Sequence, residues 1–385
     1  MRKTALAITR RSLEDFRIDV VDDASAFAEL RDEWNELLAS SRSDCLFLTW
    51  EWLHTWWVHL GQGKRLFIVT VRDGSGLVAL APLTMTRSWI GPIGVPVLEL
   101  AGTGSIGSDY LDFIADSARE TTALEALATF LAETGLSLRL SSVKEDSLIA
   151  TAVGQILRDR GWQSRQTMMQ ACPFVDLAIG SWDSYLDGLH RKHRSNFTRT
   201  RRNLNRDYTV GLEFADSDEK RHRALTQLIE LHLTRRDKLG GSNAFHTPRL
   251  LEFHETLSRL ALARGWLRLL VLTLNGTVAA ALYCFRYGRT FVYYQSGFDP
   301  AFHTYGLGQL MVGLTIRQAF EEGAPEYDFL HGGEPYKFNW TTQTRRLVRL
   351  EFYPPSRIGR MHHVAAQTVD VTKTLIKRVL SRTSN

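Results

Sequence analysis

The sequence predicts an α/β fold, α+β in arrangement, built as two copies of one unit. Three observations carry this. Apolar residues recur at the 3/4 spacing of amphipathic helices in some stretches and run as short apolar strands in others. Asp73-Gly74-Ser75-Gly76 and Asn275-Gly276 each sit between two apolar runs, as hairpin turns do. Each half offers helices, then a hairpin, then strands and helices in alternation. The halves do not overlay at a fixed period, so the duplication rests on element order. At 385 residues the chain also exceeds the roughly 100 to 200 residues of one domain.

In chain order, Phe27, Leu30, Trp34, Leu37 and Leu38 predict a helix over 24–39, and a Trp-rich helix follows over 49–60. The hairpin RLFIVTVRDGSGLVALAPLTMTRSW comes next. Strands are predicted at 95–100, 110–115, 136–142 and 170–178, with helices at 118–134 and 146–160. In the second half, a helix at 182–205, a strand at 209–214 and helices at 217–238 and 247–264 precede a three-strand meander over 266–298. A helix over 307–322 ends near Gly323, and strands at 326–331 and 347–353 follow. The last stretch, 361–382, reads as a basic helix. The boundaries this implies are 15–178, 179–356 and a tail of 357–385.

Composition narrows the function classes. With 44% hydrophobic and 23% charged residues the chain is globular rather than disordered or fibrous. Cys45, Cys172 and Cys284 are odd in number and far apart, which excludes a disulfide scaffold and a Cys-x-x-Cys knuckle and points to a reducing compartment. The apolar stretch Ala5 to Ile8 is too short for a secretory leader, and no run spans a membrane, so a cytoplasmic protein is expected. Charge is uneven: residues 1–180 carry 17 Lys and Arg against 23 Asp and Glu, and the remainder 30 against 19. The basic half suits an anionic ligand.

The sharpest constellation is a strand ending Tyr293-Tyr294-Gln295-Ser296-Gly297-Phe298, a loop His303-Thr304-Tyr305-Gly306-Leu307-Gly308, and an apolar-periodic helix. Glycines at a strand-to-helix junction let backbone amides approach a pyrophosphate at the positive end of the helix. A tight βα turn with no ligand fits the same residues. This loop resembles the pyrophosphate loop of the GNAT superfamily of CoA-dependent acyltransferases, Gln/Arg-x-x-Gly-x-Gly/Ala; Gly306 and Gly308 fit, and His303 stands at the Gln/Arg position.

Three longer stretches, FLTWEWLHTWW at 47–57, YYQSGFDPAFHTYGLGQLM at 293–311 and YDFLHGGEPYKFNW at 327–340, resemble the CelD/BcsL-type acetyltransferase-like proteins of cellulose and exopolysaccharide synthesis. These are similar in turn to the FemAB-like transferases. The resemblance implies tandem GNAT-like domains, each a mixed, mostly antiparallel sheet flanked by helices. It implies acetyl-CoA or another acyl-CoA as co-substrate, bound by Ser296, Gly297, His303, Tyr305, Gly306 and Gly308. The acceptor implied is an amine of a sugar or sugar precursor.

Amide formation needs a deprotonated amine, a polarised thioester and a protonated leaving thiolate. Asp328 near a strand end suits proton removal, and Tyr336 suits proton return to sulfur. Lys337, in Tyr336-Lys337-Phe338-Asn339-Trp340, resembles the lysine beside the donor in FemAB-like proteins. Strand-end residues and a solvated loop explain the same segment without chemistry. For substrate contact the candidates are Asp109, Tyr110 and Asp112 in a Gly/Ser-rich loop, Arg194 and Asn196 in the basic run 191–206, His232 and Arg236 four apart on one helix face, and Glu334. His190 to Asn196 and the segment beginning at His232 carry the family resemblance; the basic run also reads as a solvated helix.

His331-Gly332-Gly333-Glu334 brings a His and a carboxylate together, but no second His or Cys pair at ligand spacing accompanies them, so no metal is expected. No Gly-x-Ser-x-Gly elbow supports a hydrolase. Trp50, Trp52, Trp56 and Trp57 read as core or as a sugar-stacking face. The tail mixes apolar residues with Lys373, Lys377, Arg378 and Arg382, which suits its own domain, an anionic membrane surface or the polysaccharide synthesis machinery. The leading expectation is an acyl-CoA-dependent N-acyltransferase of exopolysaccharide or envelope synthesis. Two alternatives stand beside it: aminoacyl transfer from charged tRNA, and an inactive scaffold. DNA is not an expected partner, since the basic helix has no DNA-binding motif around it.

Overall fold

The computed structural model describes residues 16–178, 180–239 and 244–368, and of 235–239 the backbone only. The strands are β1 (Arg17–Val21), β2 (Arg65–Asp73), β3 (Gly76–Ile90), β4 (Ile93–Leu100), β5 (Ile114–Ala115), β6 (Ser137–Lys144), β7 (Gln163–Asp176), β8 (Val210–Phe214), β9 (Leu267–Leu274), β10 (Thr277–Tyr287), β11 (Thr290–Phe298), β12 (Glu326–Asp328) and β13 (Thr344–Tyr353). Within the described residues they form one sheet in the order β1-β2-β3-β4-β6-β13-β7-β12-β11-β10-β9-β8, with β5 paired to β3. Pairing is antiparallel except at β4–β6 and β11–β12. The expected mixed, mostly antiparallel architecture is present. The last strand runs back into the first half, lying between β6 and β7.

The helices are α1 (Ala24–Glu29), α2 (Arg31–Ser40), α3 (Trp50–Leu60), α4 (Glu120–Thr134), α5 (Gly154–Asp159), α6 (Trp182–Gly188), α7 (Arg191–Asp207), α8 (Asp218–Leu239), α9 (Pro248–Ala263) and α10 (Leu307–Glu321). A further helix covers 357–368. Caps explain several starts: the Asp23, Thr49 and Thr247 side chains accept backbone amides at the heads of α1, α3 and α9. Asn275 and Gly276, at φ 51° and 82°, make the turn between β9 and β10 that the Asn-Gly pair predicts.

Some expectations are corrected. The helix expected over 24–39 breaks at Leu30, and that over 182–205 breaks at Leu189–His190, where extended backbone restarts the chain. The strand expected over 110–115 shrinks to Ile114–Ala115, because Tyr110 takes a left-handed conformation at φ 58°. The strand expected over 326–331 stops at Asp328, since Leu330 turns left-handed at φ 57°. Strand β1 was not anticipated.

Two apolar layers cover the faces of the sheet. The first joins the halves: Trp34, Trp52, Leu53 and Trp56 pack in one cluster with Phe253, Leu257, Tyr283 and Phe285. The Trp cluster is therefore core. Trp52 makes an edge contact with Phe253, ring centroids 5.6 Å apart, where α3 crosses α9. Buried Glu51 ties the same junction, accepting from Arg31, Asn35 and Arg264 at 3.1, 3.0 and 2.6 Å. The second layer holds α7 and α10 against β9–β12 through Phe197, Met311, Ile316 and Trp340.

Candidate active site

Strands β11 and β12 pair in parallel at three positions, ending with Val292 opposite Asp328, and then part. β11 continues along β10 to Phe298, while the chain after Asp328 turns away, Phe329 donating to the Pro173 carbonyl and Gly332 to that of Ala171. The gap opens into a cleft of about 630 Å³ at the carboxyl end of β11. Parting strands leave backbone and side chains facing an open volume, where a sheet can accommodate a ligand.

His331 and Asp109 meet in this cleft, 222 residues apart in sequence. Asp109 is 1% exposed; its carboxylate accepts from the His331 backbone amide and from Nδ1, both at 2.8 Å. With Nδ1 donating to a carboxylate, the neutral ring carries its lone pair on Nε2, and Nε2 has no partner among the described residues. The hydrogen bond that His331 donates to Asp109 holds the imidazole pKa above its ordinary value of 6.5, outweighing burial. Gly107, at φ 67°, lets the loop bearing Asp109 approach: a Cβ there would lie 3.2 Å from the imidazole.

Opposite stands a chain of hydroxyls. Tyr336 donates to Tyr293 at 3.1 Å, and Tyr293 to Ser296 at 2.8 Å. Lys337 is 3% exposed, its ammonium donating to the His331 carbonyl at 2.8 Å and pairing with Glu334 at 3.0 Å. Lys337 thus fixes the loop that carries His331. His232 donates through Nδ1 to the Ser296 carbonyl at 3.3 Å.

Of the residues expected from sequence, Asp109, His232, Ser296, Glu334, Tyr336 and Lys337 line this one cleft. Asp328 and Tyr110 stand behind it, the tyrosine donating to the carboxylate at 2.7 Å with Leu330 N and Arg345 also donating. Burial pushes the Asp328 carboxyl up to about 6. Asp112 lies elsewhere: it accepts from Leu148 N and Ile149 N at 2.8 and 3.0 Å and holds the turn that leads into α5. Arg194 donates to Asp187, and Asn196 accepts from Arg199 on the outer face of α7. Arg236 falls among the undescribed side chains.

Gly297 serves packing, since a Cβ there would lie 2.8 Å from Leu231 Cβ and 3.0 Å from His232 N on α8. Gly306, at φ 62°, heads α10 beyond the end of β11, and among the described residues the Leu307 and Gly308 amides have no hydrogen-bond partner. Tyr305 donates to Asp207, and His303 to the Pro300 carbonyl. None of these four loop residues lines the cleft itself.

The dyad is what sequence reasoning missed. His331 was weighed only as a metal ligand beside Glu334, whereas its partner is Asp109, brought across by the pairing of the two halves. One signal was available: both residues sit in Gly-rich loops, Gly102 to Gly107 and Gly332-Gly333.

Residues 191–338 match the family model described as Acetyltransferase (GNAT) domain. The fold is tandem GNAT-like. A crystal structure of FemX superposes with a TM-score of 0.59 at 13% identity, over 83% of this chain and 95% of that one. A conserved protein of unknown function from Bacteroides thetaiotaomicron gives 0.53 at 13% identity, over 87% and 99%. The C-terminal domain of a putative lysylphosphatidylglycerol synthetase from Agrobacterium fabrum gives 0.51 at 12%, over 90% and 96%. Comparison with curated proteins returns no match.

Proposed function

We propose that the protein is an N-acyltransferase that moves an acyl group, acetyl in the first instance, from acyl-CoA to an amine of an amino sugar or sugar precursor of exopolysaccharide or envelope synthesis. The observation that carries this reading is the Asp109–His331 pair with Nε2 open to a cleft at the parting of β11 and β12. His331 Nε2 takes the proton of the attacking amine as the carbon–nitrogen bond forms. The carbon–sulfur bond breaks, and the thiolate receives a proton from the Tyr336 hydroxyl; the tyrosinate is steadied while it lasts by the Tyr293 hydroxyl beside it, and exchange with solvent returns a proton to Tyr336 and removes the one on His331. Asp109 steadies the imidazolium that forms.

The donor's pyrophosphate fits the Leu307 and Gly308 amides, because Gly306 has no side chain and a Cβ there would meet open space. A polyhydroxylated acceptor fits the rest of the wall, where Ser105, Ser108, Ser142, Gln170 and Gln295 offer neutral donors and acceptors. Thiol release from acetyl-CoA, followed across a panel of amino sugars, tests the reading. Turnover with at least one amine that His331→Gln cuts by about 10²- to 10⁴-fold is expected; no thiol release with any amine counts against it.

A second reading, aminoacyl transfer from charged tRNA, is favoured by α7. Its Arg191, Lys192, Arg199, Arg201 and Arg202 are exposed and, among the described residues, have no acidic partner. A salt-sensitive gel shift with tRNA, alongside inertness to acyl-CoA, would select it.

A further inference from the structure

Strands β3 and β4 outrun the sheet. Pairing of β3 with β2 stops at Met85, and pairing of β4 with β6 starts at Val97. Residues 86–96 therefore form an arm whose two strands, among the described residues, pair only with each other, closing at Ile90 opposite Ile93. The arm reads TRSWIGPIGVP, with one cation and no acid. Trp89 is 65% exposed and Ile93 56%, high values for side chains that gain from leaving water.

The helix over 357–368 braces the base of this arm. His362 is buried, with Nε2 at 3.1 Å from Ser88 Oγ and Nδ1 at 3.0 Å from Ser137 Oγ. Ile358, Met361 and Val364 recur every three residues along one flank, each more than half exposed. Arg87, Arg357 and Arg360 are exposed around them and have no acidic partner among the described residues.

We propose that this end of the molecule docks on an anionic lipid surface, the arm placing Trp89 and Ile93 in the interface while Arg87, Arg357 and Arg360 meet the headgroups. Charge selects the occupant. A second copy of the chain would set the same cations against each other. Residues 369–385 are no better suited, since they carry Lys373, Lys377, Arg378 and Arg382 against Asp370 alone. A bilayer supplies the negative charge and accepts a protruding wedge without a matching groove, and indoles favour its interface. No described helix is long and apolar enough to cross a membrane, so the contact is peripheral. This proposal does not rest on acyl transfer, and its test uses neither donor nor acceptor.

The experiment is flotation of the full chain with phosphatidylcholine vesicles, with and without about 30% phosphatidylglycerol. Expected is flotation with the anionic vesicles only, reversed by high salt. Trp89→Ser/Ile93→Ser and Arg357→Glu/Arg360→Glu should each lower partition by about tenfold or more, with circular dichroism unchanged. The proposal is overturned if the unaltered chain stays unbound to anionic vesicles, or if the arm variant floats as well as it does. A dimer seen by light scattering, dissolved by Trp89→Ser/Ile93→Ser in the absence of flotation, overturns it in favour of a second copy.

Discussion

Replacing Asp109 by Asn tests the catalytic reading most directly. The carboxylate offers two acceptor oxygens and uses them on two donors of one residue, the His331 amide and Nδ1. An amide side chain has one acceptor, so one of these donors must face an NH₂ group. A hydrogen bond to a charged partner contributes about 1.5–3 kcal/mol, and each 1.4 kcal/mol is about tenfold, so kcat/KM should fall by roughly 10- to 150-fold. The pH dependence carries more information. His331 must be neutral to take a proton, and Asp109 favours its protonated form, so activity should rise with pH through a midpoint above 6.5. Removing the carboxylate should move that acid limb to lower pH while the rate at the plateau falls. The assay is thiol release across pH, with a thermal melt as the control for folding. An acid limb that stays in place, or a loss confined to KM, would refute a base held by Asp109.

Three further outcomes follow from packing and charge. Gly297→Ala sets a Cβ against Leu231 and the backbone of His232, which cannot yield, so a destabilisation of about 1–3 kcal/mol is expected in denaturant unfolding. Tyr110→Phe removes a donor from buried Asp328 and should cost about 1–2 kcal/mol. Asp328 keeps its proton to about 6 in the fold against 3.8 for the ordinary group, so its contribution declines as pH climbs between the two. Losing the tyrosine should extend that decline upward, which melts from pH 4 to 8 would show. Glu51→Gln should cost about 2–3 kcal/mol by weakening its hold on Arg31 and Arg264. Burial opposes the Glu51 charge, but the hydrogen bonds from Arg264 and Asn35 keep its pKa below 4.5. Its stabilisation is thus full above 4.5 and lost as pH falls through the lower folded value, so the Gln variant should converge with the parent in acid.

The local pattern of the chain was legible because hairpins and amphipathic helices are written in neighbouring residues. Asn275-Gly276, the Trp-rich run over 49–60 and the apolar spacing of α10 each produced the element they predict. The chain break at Leu30 was not legible, since no Gly or Pro marks it, whereas Gly188 stood as a local signal for the break at Leu189–His190 and was passed over. Half of the cleft could be read from 293–340, where its residues are close in sequence. The other half could not, because Asp109 reaches His331 only through the sheet that joins the two units. Asp112 was misjudged for a related reason: its helix-capping partners, Leu148 and Ile149, are more than thirty residues away.

The placement of β13 also bears on how the chain is made. Strands β6 and β7 emerge from the ribosome long before β13 is synthesised, and until then they lack the neighbour that each pairs with on that side. The nascent first half therefore carries a slot that β13, the last of the described strands, closes, and the long contacts involved make closure slow. Cutting the chain after Trp340 should leave the earlier residues with two bare strand edges, prone to aggregate, whereas supplying 341–368 as a separate piece should rescue them. Synthesis of β13 thus serves as a checkpoint on folding, built into strand order alone.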